Sequence, residues 1–355
     1  MKIAHVVESF GAGTAKFIES LVNGLDDHQH FIIYGPRSPN LQNLIGRFPP
    51  GVDFISWPSV QRAPSILQDS KALYQLLRLL KKGEYDIVHL HSSKAGFLGR
   101  VAAFLIGKKE TIFTPNGASF VRKDISWLKK VFFISLEKLA ASLSGKVICC
   151  SESECEGFNK YGIKADYINN GVEISNSKHT YDYSSDLIVV TSGRVSNQKN
   201  PAQFNAIAKH FIEDKSMKFV WVGDGELKGL LDSENVHLTG WLEPDEAKKV
   251  VRSSHIYIST ALWEGLPFAV LEAMNGGMPL ILNNCVGNID LVSEGKNGFL
   301  FNSSEQAVSY LSQFRQNPDN MRKMGMSSQH ICANEFSVDI MLQKYNRSYI
   351  QLANT

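Results

Sequence analysis

The feature that most limits how this chain can fold is an alternation that runs through it twice. KIAHVVES (2–9), HFIIYG (30–35), DIVHLHS (86–92), TIFTPN (111–116) and KVICCS (146–151) are short apolar runs, with turn signals or helix-period segments between them. A parallel strand is buried on both faces and needs a long return connection, so this rhythm predicts parallel sheets with crossover helices. The first such connection, GAGTAKFIESLVNGL (11–25), is a glycine loop running into a helix that sets Phe17, Leu21, Val22 and Leu25 on one face. DYINNGVE (166–173) follows the fifth run, and the polar, turn-rich ISNSKHTYDYSSD (174–186) reads as a linker. The pattern then restarts in LIVVTSG (187–193), MKFVWVGDG (217–225), VHLTGW (236–241), IYISTA (256–261) and MPLILNN (278–284).

The expected fold is therefore α/β, with two Rossmann-like, doubly wound parallel-sheet domains, residues 1–170 and 171–335. The amphipathic segment at 336–355 is expected to pack back on the first domain. A length of 355 residues agrees with two cores. Apolar stretches such as VAAFLIG (101–107) are too short to span a bilayer. The opening MKIAHVVESFG lacks the apolar core and cleavage site of a signal peptide, which predicts a cytoplasmic protein. Five cysteines without metal-type spacing fit a reducing compartment. The net charge of +2 conceals an asymmetry, since residues 1–170 hold 21 Lys and Arg against 15 Asp and Glu. That excess suits an anionic partner or surface, and no nucleic-acid partner is expected.

Ligands of open α/β sheets sit beyond the carboxyl ends of strands. In VTSGRVSNQKNP (190–201) a strand ends, Gly193 turns the chain, and Arg194 and Lys199 precede Pro201, which opens a helix. A forked and a point cation beside a loop are what a diphosphate requires, although two solvated surface charges would look the same. In TALWEGLPFAVLEAMNGGMPLIL (260–282), Pro267 suits the first turn of a helix. The amides of Phe268, Ala269 and Val270 would then favour an anion at the helix mouth. Glu264 stands before that turn and Glu272 within the helix, placed to accept from sugar or ribose hydroxyls. A helix cap and an exposed helical acid would read alike. His89 and His91 in VHLHS share one face of a strand, as a metal pair could, but no third ligand accompanies them. His28 and His30 in DDHQHF are expected at the surface.

Several motifs in order resemble the retaining glycosyltransferases of family 4. They are SGRVSNQKNP, VGDGELKGLL, VHLTGW, EGLPFAVLEAMNGGMPLI and GNIDLVSEGKNGFLF in the second half, with DIVHLHSSKAG, TPNG, VICCSESE and INNGVE in the first. The resemblance implies the GT-B fold, in which two such domains face one another across a cleft. It implies that Arg194 and Lys199 bind the diphosphate of a nucleotide-sugar donor and stabilise the leaving group. Glu264 would hold the donor sugar, with main-chain contacts from Gly265, Leu266, Pro267 and Phe268. Glu272 would bind the ribose, Gly240 and Trp241 would lie near the base, and His91 would face the reacting sugar. Gly11 and Gly13 match the family's phosphate-approaching loop, although Ala12 interrupts its usual double glycine and Asn116 stands where a histidine is common. A UDP-sugar donor, a glycan or lipid-linked glycan acceptor and bacterial surface polysaccharide synthesis are implied, with no cofactor and no metal.

FVRKDISWLKKVFFISLEKLAASL (120–143) interleaves lysines with Trp127, Leu128, Val131 and Phe132, as a helix lying on an anionic bilayer would. A domain helix with a solvated basic face reads alike, and a reversible peripheral contact is the favoured expectation. Two rivals remain open. GAGTAK (11–16) and GDGELKG (223–229) approach the fingerprint of an NAD(P)-dependent oxidoreductase, but neither completes it. A sugar-nucleotide-binding subunit without activity is the other.

Overall fold

A computed structural model describes residues 1–36, 41–61, 63–175 and 186–354. The expected linker lies almost wholly outside the described residues. The chain divides into two compact units, Met1–Asn170 with Val338–Thr355, and Gly171–Ser337.

The first unit is a seven-stranded parallel sheet in the order β3-β2-β1-β4-β5-β6-β7. Its strands are β1 (Lys2–Val7), β2 (Gln29–Tyr34), β3 (Asp53–Ser56), β4 (Ile87–His91), β5 (Thr111–Thr114), β6 (Lys146–Cys149) and β7 (Ala165–Tyr167). Between them run α1 (Ala12–Gly24), α2 (Leu41–Ile45), α3 (Ile66–Gly83), α4 (Ser93–Leu105), α5 (Trp127–Leu143) and α6 (Glu152–Lys160). One face of the sheet is apolar: Ala4, Val6, Ile33, Val88 and Leu90 pack with Leu76 and Leu80 of α3 and Ala95, Leu98 and Ala102 of α4. The other face carries a polar row under α1, against which the last helix of the chain, α12 (Val338–Ala353), also packs.

The second unit is a six-stranded parallel sheet in the order β10-β9-β8-β11-β12-β13. Its strands are β8 (Leu187–Ser192), β9 (Met217–Val222), β10 (Val236–Leu238), β11 (Ile256–Ser259), β12 (Leu280–Asn283) and β13 (Gly298–Phe301). Its helices are α7 (Pro201–His210), α8 (Pro244–Arg252), α9 (Phe268–Asn275), α10 (Ser304–Gln316) and α11 (Pro318–Glu335). Phe204 and Ile207 of α7 pack with Phe219, Trp221, Ile258 and Ile281 in its core. Strand order reverses between β1 and β4 in one unit and between β8 and β11 in the other. Those two points are where open sheets of this kind bind ligands.

One buried ion pair ties α4 to α5. Arg100, fully buried, reaches Glu137 and lies 4.1 Å from the centre of the Phe113 ring. Burial pushes the Arg100 pKa down and the Glu137 pKa up, and their attraction offsets part of each shift. Replacing Glu137 by alanine strands a guanidinium in the core, which costs about 3–5 kcal/mol. Urea unfolding of the Glu137→Ala and Glu137→Gln chains should show the full loss only in the first.

Candidate active site

In the second unit the chain leaves β8 through Gly193, whose φ of +133° belongs to the region that only glycine enters cheaply. The indole N–H of Trp221 donates to the Gly193 carbonyl at 2.9 Å and holds the turn. Lys199 then closes a short 3₁₀ turn, Asn197–Lys199, just before α7. The Thr260 hydroxyl, past the end of β11, donates to the Lys199 carbonyl at 2.7 Å and stitches the two switch-point loops together. A second stitch runs from the Leu262 amide to the Gln198 carbonyl at 2.8 Å.

This stitching brings Lys199 against Glu264. Nζ and Oε1 stand 2.8 Å apart, with side chains 19% and 10% exposed. The Gln198 amide donates to the other carboxylate oxygen at 3.3 Å and to the Trp263 carbonyl at 2.9 Å. Burial alone would depress the lysine, but Glu264, helped by Tyr257 and Cys285, holds its pKa above the ordinary value. A charged ammonium and a carboxylate thus share one nearly dry corner at the β8/β11 switch point. Gly287 lets another loop approach, since a Cβ there would lie 2.4 Å from the Gly265 carbonyl.

Pro267 is the cap of α9, and the helix proper begins at Phe268. The Val270 amide bonds the Pro267 carbonyl at 3.1 Å, so it is not among the amides open to an anion. Gly265, Leu266 and Pro267 are buried, Phe268 is half-buried, and Glu272 lies half-buried within α9. Arg194 is largely exposed, with only a loose ion pair to Glu226 at 3.7 Å. Gly240 takes φ +74° beyond the end of β10, and Trp241 beside it is 65% exposed. The second unit therefore gathers Lys199, Glu264 and the mouth of α9, while Arg194 and Trp241 extend from neighbouring turns.

In the first unit, Gly11 caps α1 and Gly13 lies inside that helix. The left-handed residue between them is Ala12, at φ +48°, so the strained position falls on the alanine that interrupts the glycine pair. His91 ends β4, and Ser92 after it takes φ 65° and ψ 162°, a region costly for any residue with a Cβ. Asn116, past β5, has φ +53°. Glu154 fixes the loop containing Asn116: its carboxylate accepts from the amides of Gly117, Ala118 and Cys150 at 2.7–3.1 Å. Burial raises its pKa and those bonds oppose the rise. Two of those amides lie 37 and 36 residues away in the sequence, which gives no sign of this role.

His30 departs from the expectation of a surface residue. It lies in β2, 3% exposed, because its polar neighbours Asp26 to Gln29 end at a strand whose alternate positions face inward. His5, His30, His89 and His91 form a row across β2, β1 and β4 on the face under α1 and α12. His89 contacts Thr114 and Tyr349, at 2.8 and 2.7 Å, which assigns it to the docking of α12.

Comparison with known proteins decides the family. The model for glycosyl transferases group 1 matches residues 175–330, and that for glycosyltransferase family 4 matches residues 11–176. A UDP-Gal:alpha-D-GlcNAc-diphosphoundecaprenol alpha-1,3-galactosyltransferase of Escherichia coli is 33% identical over 273 residues, 68% of this chain and 69% of that one. The chain belongs to glycosyltransferase family 4. Among solved structures, Anabaena HepE in complex with UDP-glucose superposes with a TM-score of 0.79 at 17% identity, covering 99% of this chain and 100% of that one. The lipopolysaccharide outer core galactosyltransferase WaaB gives 0.74 at 18% identity, over 99% of both chains. These likenesses show the GT-B fold. Family membership makes the chain a glycosyltransferase and removes the oxidoreductase reading.

Proposed function

We propose that this glycosyltransferase moves a hexosyl or N-acetylhexosaminyl group from a UDP-sugar to a lipid-linked glycan with retention of configuration, in the assembly of a bacterial surface polysaccharide. The observation that carries the reading is the Lys199–Glu264 pair at the β8/β11 switch point, beside the mouth of α9. As the bond from the sugar C1 to the diphosphate breaks, negative charge gathers on the leaving oxygen and positive charge on the ring. Lys199, Arg194 and the dipole of α9 stabilise the first, supplying charge that a metal would otherwise supply. Glu264 accepts from hydroxyls of the transferred sugar, with Gly265, Leu266, Pro267 and Phe268 lining its path. Glu272 binds both ribose hydroxyls, and the uracil lies near Gly240 and Trp241. Gly11 and Gly13 admit the phosphates to the backbone, and His91 meets a sugar hydroxyl. The acceptor hydroxyl attacks from the face the diphosphate leaves, and its proton passes to the departing phosphate oxygen.

Donor and acceptor classes draw support from the Escherichia coli relative, named for UDP-Gal and a diphosphoundecaprenol-linked sugar, and from HepE, solved with UDP-glucose. A peripheral contact with the cytoplasmic face of the membrane would bring such an acceptor within reach. No helix among the described residues is long and apolar enough to cross a membrane. On α5, however, Trp127, Leu128, Val131, Phe132 and Leu139 are exposed, and Lys129, Lys130 and Lys138 accompany them. That is the composition of a helix that rests in an anionic interface.

The test is release of UDP from UDP-galactose, UDP-glucose and their N-acetyl counterparts, with a polyprenyl-diphosphate sugar as acceptor and with or without EDTA. Turnover with at least one donor, unaffected by EDTA and giving an α-linked product, is the expected result. No release from any donor, or a β-linked product, would overturn the assignment or its stereochemistry. Glu272→Ala should weaken UDP binding about tenfold or more in calorimetry, the worth of hydrogen bonds to a charged group. Unchanged affinity would move the ribose elsewhere.

A further inference from the structure

The row of histidines under α1 is a connected line whose direction can be worked out bond by bond. His30 Nε2 lies 2.9 Å from the Leu25 carbonyl oxygen, His30 Nδ1 lies 3.1 Å from His5 Nε2, and His5 Nδ1 lies 3.1 Å from His91 Nε2. A carbonyl only accepts, so His30 must carry its proton on Nε2. A neutral His30 then offers a bare Nδ1, which requires a proton on His5 Nε2. The same step repeated places a proton on His91 Nε2 and leaves His91 Nδ1 bare. Burial holds His5, His91 and His30 below the usual histidine range, so all three rings are neutral near pH 7. His91 Nδ1 is buried and has no partner among the described residues, and neither does the Ser92 hydroxyl beside it. An orphaned acceptor next to a strained residue at a switch point marks a place where a ligand completes the bonding.

We infer that the Leu25–His30–His5 line fixes His91 in one tautomer, so that its Nδ1 can only accept a hydrogen bond from a ligand hydroxyl. This rests on the reading of His91 as facing the reacting sugar. His5 and His30 are positioning residues, and their effect is selective. A hydroxyl is welcomed at Nδ1, whereas a phosphate or carboxylate oxygen there would meet a lone pair. Ring nitrogens of His5, His89 and His91 also lie within 4.8 Å of one another, as a cation site requires. Two of the three have no lone pair to spare: His5 Nδ1 accepts from the His91 Nε2–H, and both His89 nitrogens face hydroxyls, which leaves His91 Nδ1 alone open.

The experiment is long-range proton–nitrogen correlation on the full chain labelled with ¹⁵N-histidine at pH 7.5, with zinc added as a second arm. His5, His30 and His91 should all appear as Nε2–H tautomers that zinc leaves unchanged. A proton on His91 Nδ1, or zinc-induced shifts of these rings, would overturn the inference whatever the protein's donor proves to be. Activity supplies an independent reading. His30→Gln can donate to Leu25 and accept from His5 as histidine does, so its kcat should stay within about threefold. His30→Phe breaks the line, mixes the tautomers of His91, and should lower kcat about tenfold, the worth of one net hydrogen bond, at unchanged UDP affinity. Equal turnover of the two variants would also overturn it. Should the phenylalanine chain not fold, the wild-type tautomer decides.

Discussion

Lys199→Ala should lower turnover by about 10²–10³-fold, equivalent to roughly 3–4 kcal/mol of lost transition-state stabilisation. Two effects add. The point charge that meets the leaving diphosphate disappears, and the Glu264 carboxylate, which the ammonium holds at 2.8 Å, loses its counter-charge in a nearly dry corner. An unbalanced carboxylate beside a departing anion opposes the reaction as well as failing to help it. Lys199→Arg keeps the charge but replaces a compact ammonium with a broad fork, so it restores turnover only in part. The check is kcat at saturating donor, with the melting temperature as a control for folding. A kcat within about threefold of the parent would place the phosphate clamp elsewhere.

The second large effect is on acid stability. His5, His89, His91 and His30 all have pKa values lowered in the folded state, with burial the main cause in each. The unfolded chain takes up protons on these side chains around the ordinary histidine value of 6.5, while the folded chain does not. Their contribution is therefore fully present above that pH and falls as pH drops below it. Between pH 7 and 5.5 each of the three rings held well below that value, His5, His89 and His91, costs about 1.3 kcal/mol. His30, which the Leu25 carbonyl partly supports, adds less, so the row costs about 4 kcal/mol. Glu137 and Glu154, whose pKa values burial raises, work in the opposite sense and soften the fall. Amide hydrogen exchange in β1 and β4 at the two pH values measures it. A loss under about 1.5 kcal/mol would mean that the histidine row is already charged or solvated.

Much of this was legible in the sequence, for identifiable reasons. Parallel strands such as IVHLH and LIVVTS announce themselves because both faces are buried, and α9 is marked by a proline opening an apolar helix after a strand. β3 and β13 were not legible. Both are edge strands: DFIS has polar residues at each end, and GFLF directly follows the turn-rich EGKN. The switch points could not be read either, because strand order is a property of pairing. Without it, nothing says that Lys199 and Glu264 touch, or that His30 belongs with His5 and His91. His30 in particular was hidden by a polar run, and the polar layer it joins contradicts the apolar character that both faces of a parallel sheet normally have. The left-handed Ala12 was visible only as a departure from a glycine pair.

Because α12 follows the whole second unit in the chain, the first unit is interrupted during synthesis. Tyr345 and Tyr349, which engage Thr114 and His89, are translated after residue 337. On the ribosome the second unit can therefore mature while the histidine row of the first still lacks part of its roof. A nascent chain arrested before Val338 should hold a finished second unit and an open, protease-sensitive first one.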